Sequence, residues 1–118
     1  MNRRYEIEDG PAVDLAHIVS IGAAQEEGGS LGAYFYYPTR PYFFSFNIRF
    51  AGDSTPMKVT TGFVDCHREF IENKGWFRKT ETCRQWFEET EVQKAREKNQ
   101  WVRNRVLEAW KAYNGRAD

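Results

Sequence analysis

The stretch Tyr42-Phe43-Phe44-Ser45-Phe46-Asn47-Ile48-Arg49-Phe50 decides the fold. Phe44, Phe46, Ile48 and Phe50 alternate with Ser45, Asn47 and Arg49, and successive side chains of a strand point to opposite faces, so one face is apolar and the other polar. This is the pattern of an antiparallel sheet buried on one side. Upstream, Leu31, Ala33, Phe35 and Tyr37 alternate with Tyr34 and Tyr36. Pro38-Thr39-Arg40-Pro41 reads as the turn between the two strands, because neither proline can donate to a ladder. Downstream, Ala51-Gly52-Asp53-Ser54-Thr55 carries turn chemistry, and Met57, Val59, Thr61 and Phe63 alternate beyond it as the next antiparallel strand. Further strands are expected within residues 15–23 and 4–8, separated by Gly10-Pro11, with residues 25–30 as a mobile loop.

Past Gly62 the apolar period becomes helical. On a 100° wheel centred on Val102, residues Ala95, Val106, Ala109 and Tyr113 fall within about 40° of the centre, with Val92 and Trp110 somewhat wider, giving one apolar stripe. Thr90 and Gln93 fit a capping box, an earlier start at Thr82 with Gln85 is the alternative, and Asn114-Gly115 reads as the stop. Glu88, Glu89 and Glu91 suit the N-terminal end of the helix dipole. Residues 65–74 read as a short helix ended at Gly75, and Trp76, Phe77, Trp86 and Phe87 as packing aromatics. The architecture expected is a single α+β domain over residues 1–118. A curved antiparallel meander of about five strands (residues 4–63) packs against a long C-terminal amphipathic helix, with a short helical insert before it (helical region 65–114).

His17-Ile18-Val19-Ser20-Ile21, the strands at residues 42–50 and 57–63, and a closing Arg103-Asn104-Arg105-Val106-Leu107-Glu108-Ala109-Trp110 occur in an order that resembles small bacterial pleckstrin-homology-like domain proteins. The resemblance lies in element order, covers about two-thirds of the chain, and departs from that family in the low strand count and in the insert at residues 65–89. It implies a binding scaffold rather than an enzyme, and fold analogy alone carries no function.

Composition narrows the function classes. With 118 residues the chain has the size of one compact domain, and 17 Lys+Arg against 17 Asp+Glu leave no net charge to draw it towards nucleic acid or an acidic membrane. No run approaches the ~18 apolar residues of a membrane span, and the charged opening residues lack the form of a signal peptide, so a cytoplasmic location is expected. Cys66 and Cys83 are too few for a disulfide scaffold and read as reduced thiols. No phosphate loop, zinc spacing or cofactor motif is present, and no cofactor is expected: Gly28-Gly29-Ser30-Leu31-Gly32 lacks the lysine and helix of a P-loop. Cys66 and His67, as neighbours, point apart; a thiol dyad, the basis of a thiol-dependent hydrolase reading, has to pair a cysteine with His17, or Cys83 with His67.

Two surfaces stand out as binding candidates. From Lys94 to Arg116 seven basic residues face two acidic ones, and Lys94, Lys98, Trp101 and Arg105 share one helix flank off the apolar stripe. A tryptophan ringed by cations suits a protein hot spot or a base-stacking platform, against the plainer reading of a solvated helix end in which Trp101 covers the sheet rim. The second surface is Tyr34, Tyr36, Phe43 and Arg49 on the outer faces of the central hairpin, with Arg40 at its turn. These residues form a recognition patch if the face is bare, and a second core if the insert folds back over it, which is the expected arrangement. The function expected is a non-enzymatic interaction module, an adaptor or an inhibitor of the kind phage and mobile elements direct at host complexes. It would act on a protein partner and could form a homodimer, with weak nucleic-acid binding through the basic helix as the alternative.

Overall fold

The computed structural model describes residues 3–28, 41–75 and 79–116. The expected strand at residues 31–37 and the turn with Arg40 therefore lie outside the described residues. Among the described residues, eight strands, a 3-10 turn and one helix follow in order: β1 (Arg4–Glu6), β2 (Ala12–Asp14), the turn Leu15–His17, β3 (Ile18–Ile21), β4 (Gln25–Glu27), β5 (Tyr42–Phe50), β6 (Met57–Val64), β7 (His67–Lys74), β8 (Lys79–Trp86) and α1 (Glu89–Arg116). The α+β class stands, with antiparallel sheets packed against one long C-terminal helix.

β5 is the centre of the main sheet. β6 pairs with one edge of it, while β3 and β4 share the other edge end to end, β3 opposite residues 48–50 and β4 opposite residues 43–45. Among the described residues this sheet is thus three strands wide, and its third strand is broken at Gly22. Residues 25–27, expected as loop, are strand because β5 offers nine residues of ladder and β3 fills only its end. Leu15–His17 is not the start of β3 but a 3-10 turn, since the Asp14 carboxylate accepts from the Ala16 amide and caps it. Gly52, at φ 86°, makes the β5–β6 turn where turn residues were expected, and Gly28, at φ 93°, closes β4 where a Cβ would lie 2.6 Å from the Pro41 carbonyl.

The apolar face of β5 is sealed as its alternation demands. Phe46, Ile48, Val59, Ile18, Leu15, Ile7 and Val13 form the core with Val102 and Val106 of α1, and Ala109, Trp110 and Tyr113 pack against its edge. Phe44 is buried beside this cluster in an edge-to-face contact with Tyr42, whose ring also meets Phe87. Burial, reinforced by the Glu26 carboxylate, holds the Tyr42 hydroxyl above the usual tyrosine pKa.

A buried polar clamp sets the helix on the sheet. β6 bulges at Thr61, which has no partner rung between Phe44–Gly62 and Ser45–Thr60. Asn99 of α1, only 1% exposed, donates from Nδ2 to the Ser45 carbonyl at 3.1 Å and accepts at Oδ1 from the Thr61 hydroxyl at 2.8 Å. Arg103 adds a bond from Nε to the Gly22 carbonyl at 2.6 Å, and Arg96 holds Glu26 of β4 at 2.7 Å. α1 is thereby tied to the bulge in β6, to β5 and to both sides of the break in the third strand.

The insert is the clear correction. Residues 65–74 are not a short helix: β7 and β8 form a two-stranded antiparallel ribbon, and α1 begins only at Glu89 rather than at either expected cap, continuing past Asn114-Gly115. Phe70, Ile71, Thr80, Thr82 and Trp86 favour extended backbone, and Gly75 lies where the chain turns, whereas the segment lacks an apolar stripe of helical period. The ribbon is fastened at its base, where the His67 ring stacks on Trp86 at 5.7 Å and its Nε2 lies 3.3 Å from Glu91 of α1. Beyond that base it projects. The molecule measures 78 × 29 × 18 Å with a radius of gyration of 20.4 Å, against about 13–14 Å for a compact chain of this length. A helix of about 42 Å and a ribbon of about 26 Å account for most of the long dimension.

One surface pair has a pH signature. Arg3 Nη2 lies 2.7 Å from Asp14 Oδ2, and this bond, with help from the Ala16 amide, holds the Asp14 carboxyl below its ordinary value. A depressed carboxyl stabilises the fold above the unfolded-state pKa, and that contribution is lost as pH falls through the folded one. Arg3→Gln is expected to bring the Asp14 titration back towards the ordinary aspartate range, read by NMR of its carboxyl carbon. A titration unmoved by the substitution would show that Arg3 does not set it.

Candidate functional site

The bulge at Thr61 that serves the core also creates the most conspicuous surface feature. Simple alternation puts Phe63 on the same face as Met57 and Val59, but one extra residue reverses the phase, so Gly62 and Val64 turn inward and Phe63 outward. Phe63 is 58% exposed and sits directly opposite Phe43 of β5, itself 39% exposed, with the rings 6.1 Å apart. Sequence reasoning singled out Phe43 and missed Phe63. The available signal was Gly62 inside a strand pattern, a common mark of a bulge.

Phe63 also lines an open groove of about 440 Å³ where the end of β6, the start of β7 and the first turns of α1 meet, together with Asp65, His67, Glu91 and Lys94. Lys94 is the first member of the helix flank identified from the sequence, so the two candidate surfaces, separate along the chain, are joined through Phe63. Farther along α1, Trp101 is 51% exposed and the Arg105 guanidinium lies over its ring at 5.4 Å. That geometry is a cation–π contact, worth about 0.5–1 kcal/mol at an exposed site.

Other expected members fall elsewhere. Lys98 is drawn to Asp9 in the β1–β2 turn, with Nζ 3.6 Å from its carboxylate. Arg49 is exposed on the outer face of β5 but six residues from Phe43, a distance of about 20 Å along a strand. The Lys58–Glu27 ion pair, 2.7 Å long, spans β5 from β6 to β4. Tyr34, Tyr36 and Arg40 lie outside the described residues. The ribbon does not fold back over the outer face to make a second core: it pairs with itself and is held at the His67–Trp86 end, while Phe43 and Phe63 stay in solvent.

The basic excess of α1 is smaller in space than in sequence. Arg96 is paired with Glu26, Lys98 with Asp9, and Arg103 is bonded to a backbone carbonyl, so three of the cations counted there serve the fold. Of the two thiols considered, the structure describes only that of Cys66, the Cys83 side chain lying outside the described residues. Cys66 is half-buried with Sγ directed at the His67 carbonyl, the His67 ring is engaged by Glu91 and Trp86, and His17 lies 3.3 Å from Asp14. Among the described residues no group of three or more His, Cys, Asp or Glu could hold a metal ion, and no helix is long and apolar enough to cross a membrane. Compared with known proteins, the chain matches no family model, no curated protein and no solved structure.

Proposed function

We propose that the protein is a non-enzymatic interaction module whose contact surface is the aromatic row of Phe43 and Phe63, continued along α1 by Lys94, Trp101 and Arg105. The observation that carries this reading is the outward Phe63, which extends the exposed Phe43 into a two-ring patch beside the groove lined by Lys94. Large aromatics left in water are poor for solubility and good for binding, since aromatic and arginine anchors dominate interface energetics. Lys94 and the stacked Arg105 fit a protein partner that offers carboxylates around an apolar centre. Such a partner suits an adaptor or an inhibitor acting on a larger complex in the cytoplasm, and nothing in the row requires a cofactor.

Affinity purification from the native host with mass spectrometry identifies the partner, and two variants test the surface. Phe63→Ser and Trp101→Ala are each expected to weaken capture of that partner at least about tenfold with the circular dichroism spectrum unchanged. Undiminished capture by both variants removes the row as the interface. If single-stranded nucleic acid is retained instead, with affinity falling steeply between about 50 and 200 mM salt, the nucleic-acid reading replaces this one.

A further inference from the structure

The long helix carries an exposed stripe whose charges are ordered about one residue. On a 100° wheel centred on Trp101, residues Lys94, Glu97, Arg105 and Glu108 fall within about 40° of the centre, while Val102, Val106 and Asn99, which face the sheet, lie about 100° or more away. Trp101 is 51% exposed, and the four charged residues around it are exposed as well. Arg96 and Arg103 tie α1 to the sheet on one side of the stripe and Lys98 ties it to Asp9 on the other, so the strip between them faces away from the rest of the chain. Among the described residues none of its four charges is held in an ion pair: Glu97 accepts from the Gln93 amide, and the Arg105 guanidinium lies over the Trp101 ring.

The order of signs sets this stripe apart from an ordinary solvated face. Lys94 and Glu108 stand seven positions before and after Trp101, and Glu97 and Arg105 stand four before and after, so at each distance the two charges are opposite. A helix with that order is complementary to itself reversed. A second α1 laid antiparallel along the stripe, with the two tryptophans in contact, brings Lys94 to Glu108 and Glu97 to Arg105 of the other copy, and two-fold symmetry makes each pairing twice. We infer that α1 is a self-association element: two copies of the chain pack these stripes antiparallel about a two-fold axis at Trp101. A parallel pair sets every charge on its own counterpart and is repulsive. The paired stretch covers about 21 Å of helix, a small contact beside the ~800 Å² per partner of a standard interface, so the dimer is weak and depends on concentration. The inference rests on the reading of Lys94, Trp101 and Arg105 as a contact surface and adds its regulation: the dimer covers these residues, so self-association competes with capture of the foreign partner.

Sedimentation velocity on the full chain, over about 1 to 500 µM, tests this with reciprocal charge exchange. The native chain is expected to pass from monomer to dimer, and less readily at about 0.5 M salt, where the Debye length shrinks to about 4 Å. Glu97→Lys with Glu108→Lys makes the stripe wholly basic, and Lys94→Glu with Arg105→Glu makes it wholly acidic; each double variant alone is expected to self-associate at least about a hundredfold more weakly. Mixed in equal amounts, the two are expected to recover the dimer, a result that a damaged fold cannot produce. The inference is overturned if the native chain is monomeric throughout, if either double variant self-associates as the native chain does, or if the mixture stays monomeric. A chain monomeric at every concentration leaves capture of the foreign partner by the row untouched, whereas undiminished capture by Phe63→Ser and Trp101→Ala removes the foreign interface and leaves the dimer untouched.

Discussion

Asn99→Leu is expected to lower the free energy of unfolding by about 2–4 kcal/mol, although leucine has the same branching and number of side-chain heavy atoms as asparagine and is the better helix former. The loss is polar. The Ser45 carbonyl gives up its bond from Asn99, and a buried acceptor left unpaired costs about 1–3 kcal/mol. The Thr61 hydroxyl is less exposed to the change, because the Phe44 carbonyl lies 3.3 Å away as a second acceptor. Asn99→Asp separates the polar effect from packing. A carboxyl in this buried site, facing a carbonyl, has its pKa raised by desolvation, so in the folded state it stays protonated where the unfolded chain ionises. A raised folded pKa gives stability that is complete below the unfolded value and is lost as pH rises through the folded one. Relative to the native chain, Asn99→Asp is therefore less destabilised near pH 4 than near pH 7. Urea unfolding at the two pH values checks both substitutions; equal losses at both, or no loss for Asn99→Leu, would mean that the clamp contributes little.

Phe46→Ala is expected to cost about 3–5 kcal/mol, the usual range for deleting a fully buried phenylalanine. Phe46 is 0% exposed and belongs to the cluster that joins β5 and β6 to Val102 and Val106 of α1. With a total stability of about 5–15 kcal/mol for a small protein, such a loss removes a large part of it and brings the melting transition down with it. Phe70→Ala, which removes the same ring from an exposed position on the ribbon, is expected to change stability by no more than about 0.5 kcal/mol. A calorimetric melt of the two variants checks the contrast. Similar losses in both would mean that Phe46 does not stand at the centre of the core.

How far the fold could be read from the residues depended on which interactions hold each element. β5, β6 and the stripe Val102, Val106, Ala109, Tyr113 were legible because each buries one face, and burial imposes its period on the sequence. β7 and β8 were not, because their composition is mixed and charged and Glu69 and Phe70, successive residues of β7, are both exposed, so no apolar period is left to detect. β4 was illegible for a related reason: Gln25, Glu26 and Glu27 are strand through their ladder to β5 and through ion pairs with Arg96 and Lys58. The candidate surface was half visible. Phe43, Lys94, Trp101 and Arg105 lay at positions that periodicity could place, while Phe63 depended on a one-residue bulge that inverts the strand. The cations at 96, 98 and 103 looked like a free basic field because their partners Glu26, Asp9 and the Gly22 carbonyl are distant in sequence.

Amide hydrogen exchange measures most directly whether α1 is locked onto the apolar face of β5. If it is, amides of α1 from about Asn99 to Ala109 and those of β5 from Phe44 to Ile48 exchange together, at rates set by global unfolding, and ribbon amides in dilute solution exchange much faster. Helix amides that exchange orders of magnitude faster than those of β5 would contradict this, because they would mean that the helix opens independently of the sheet and that the two do not share one core.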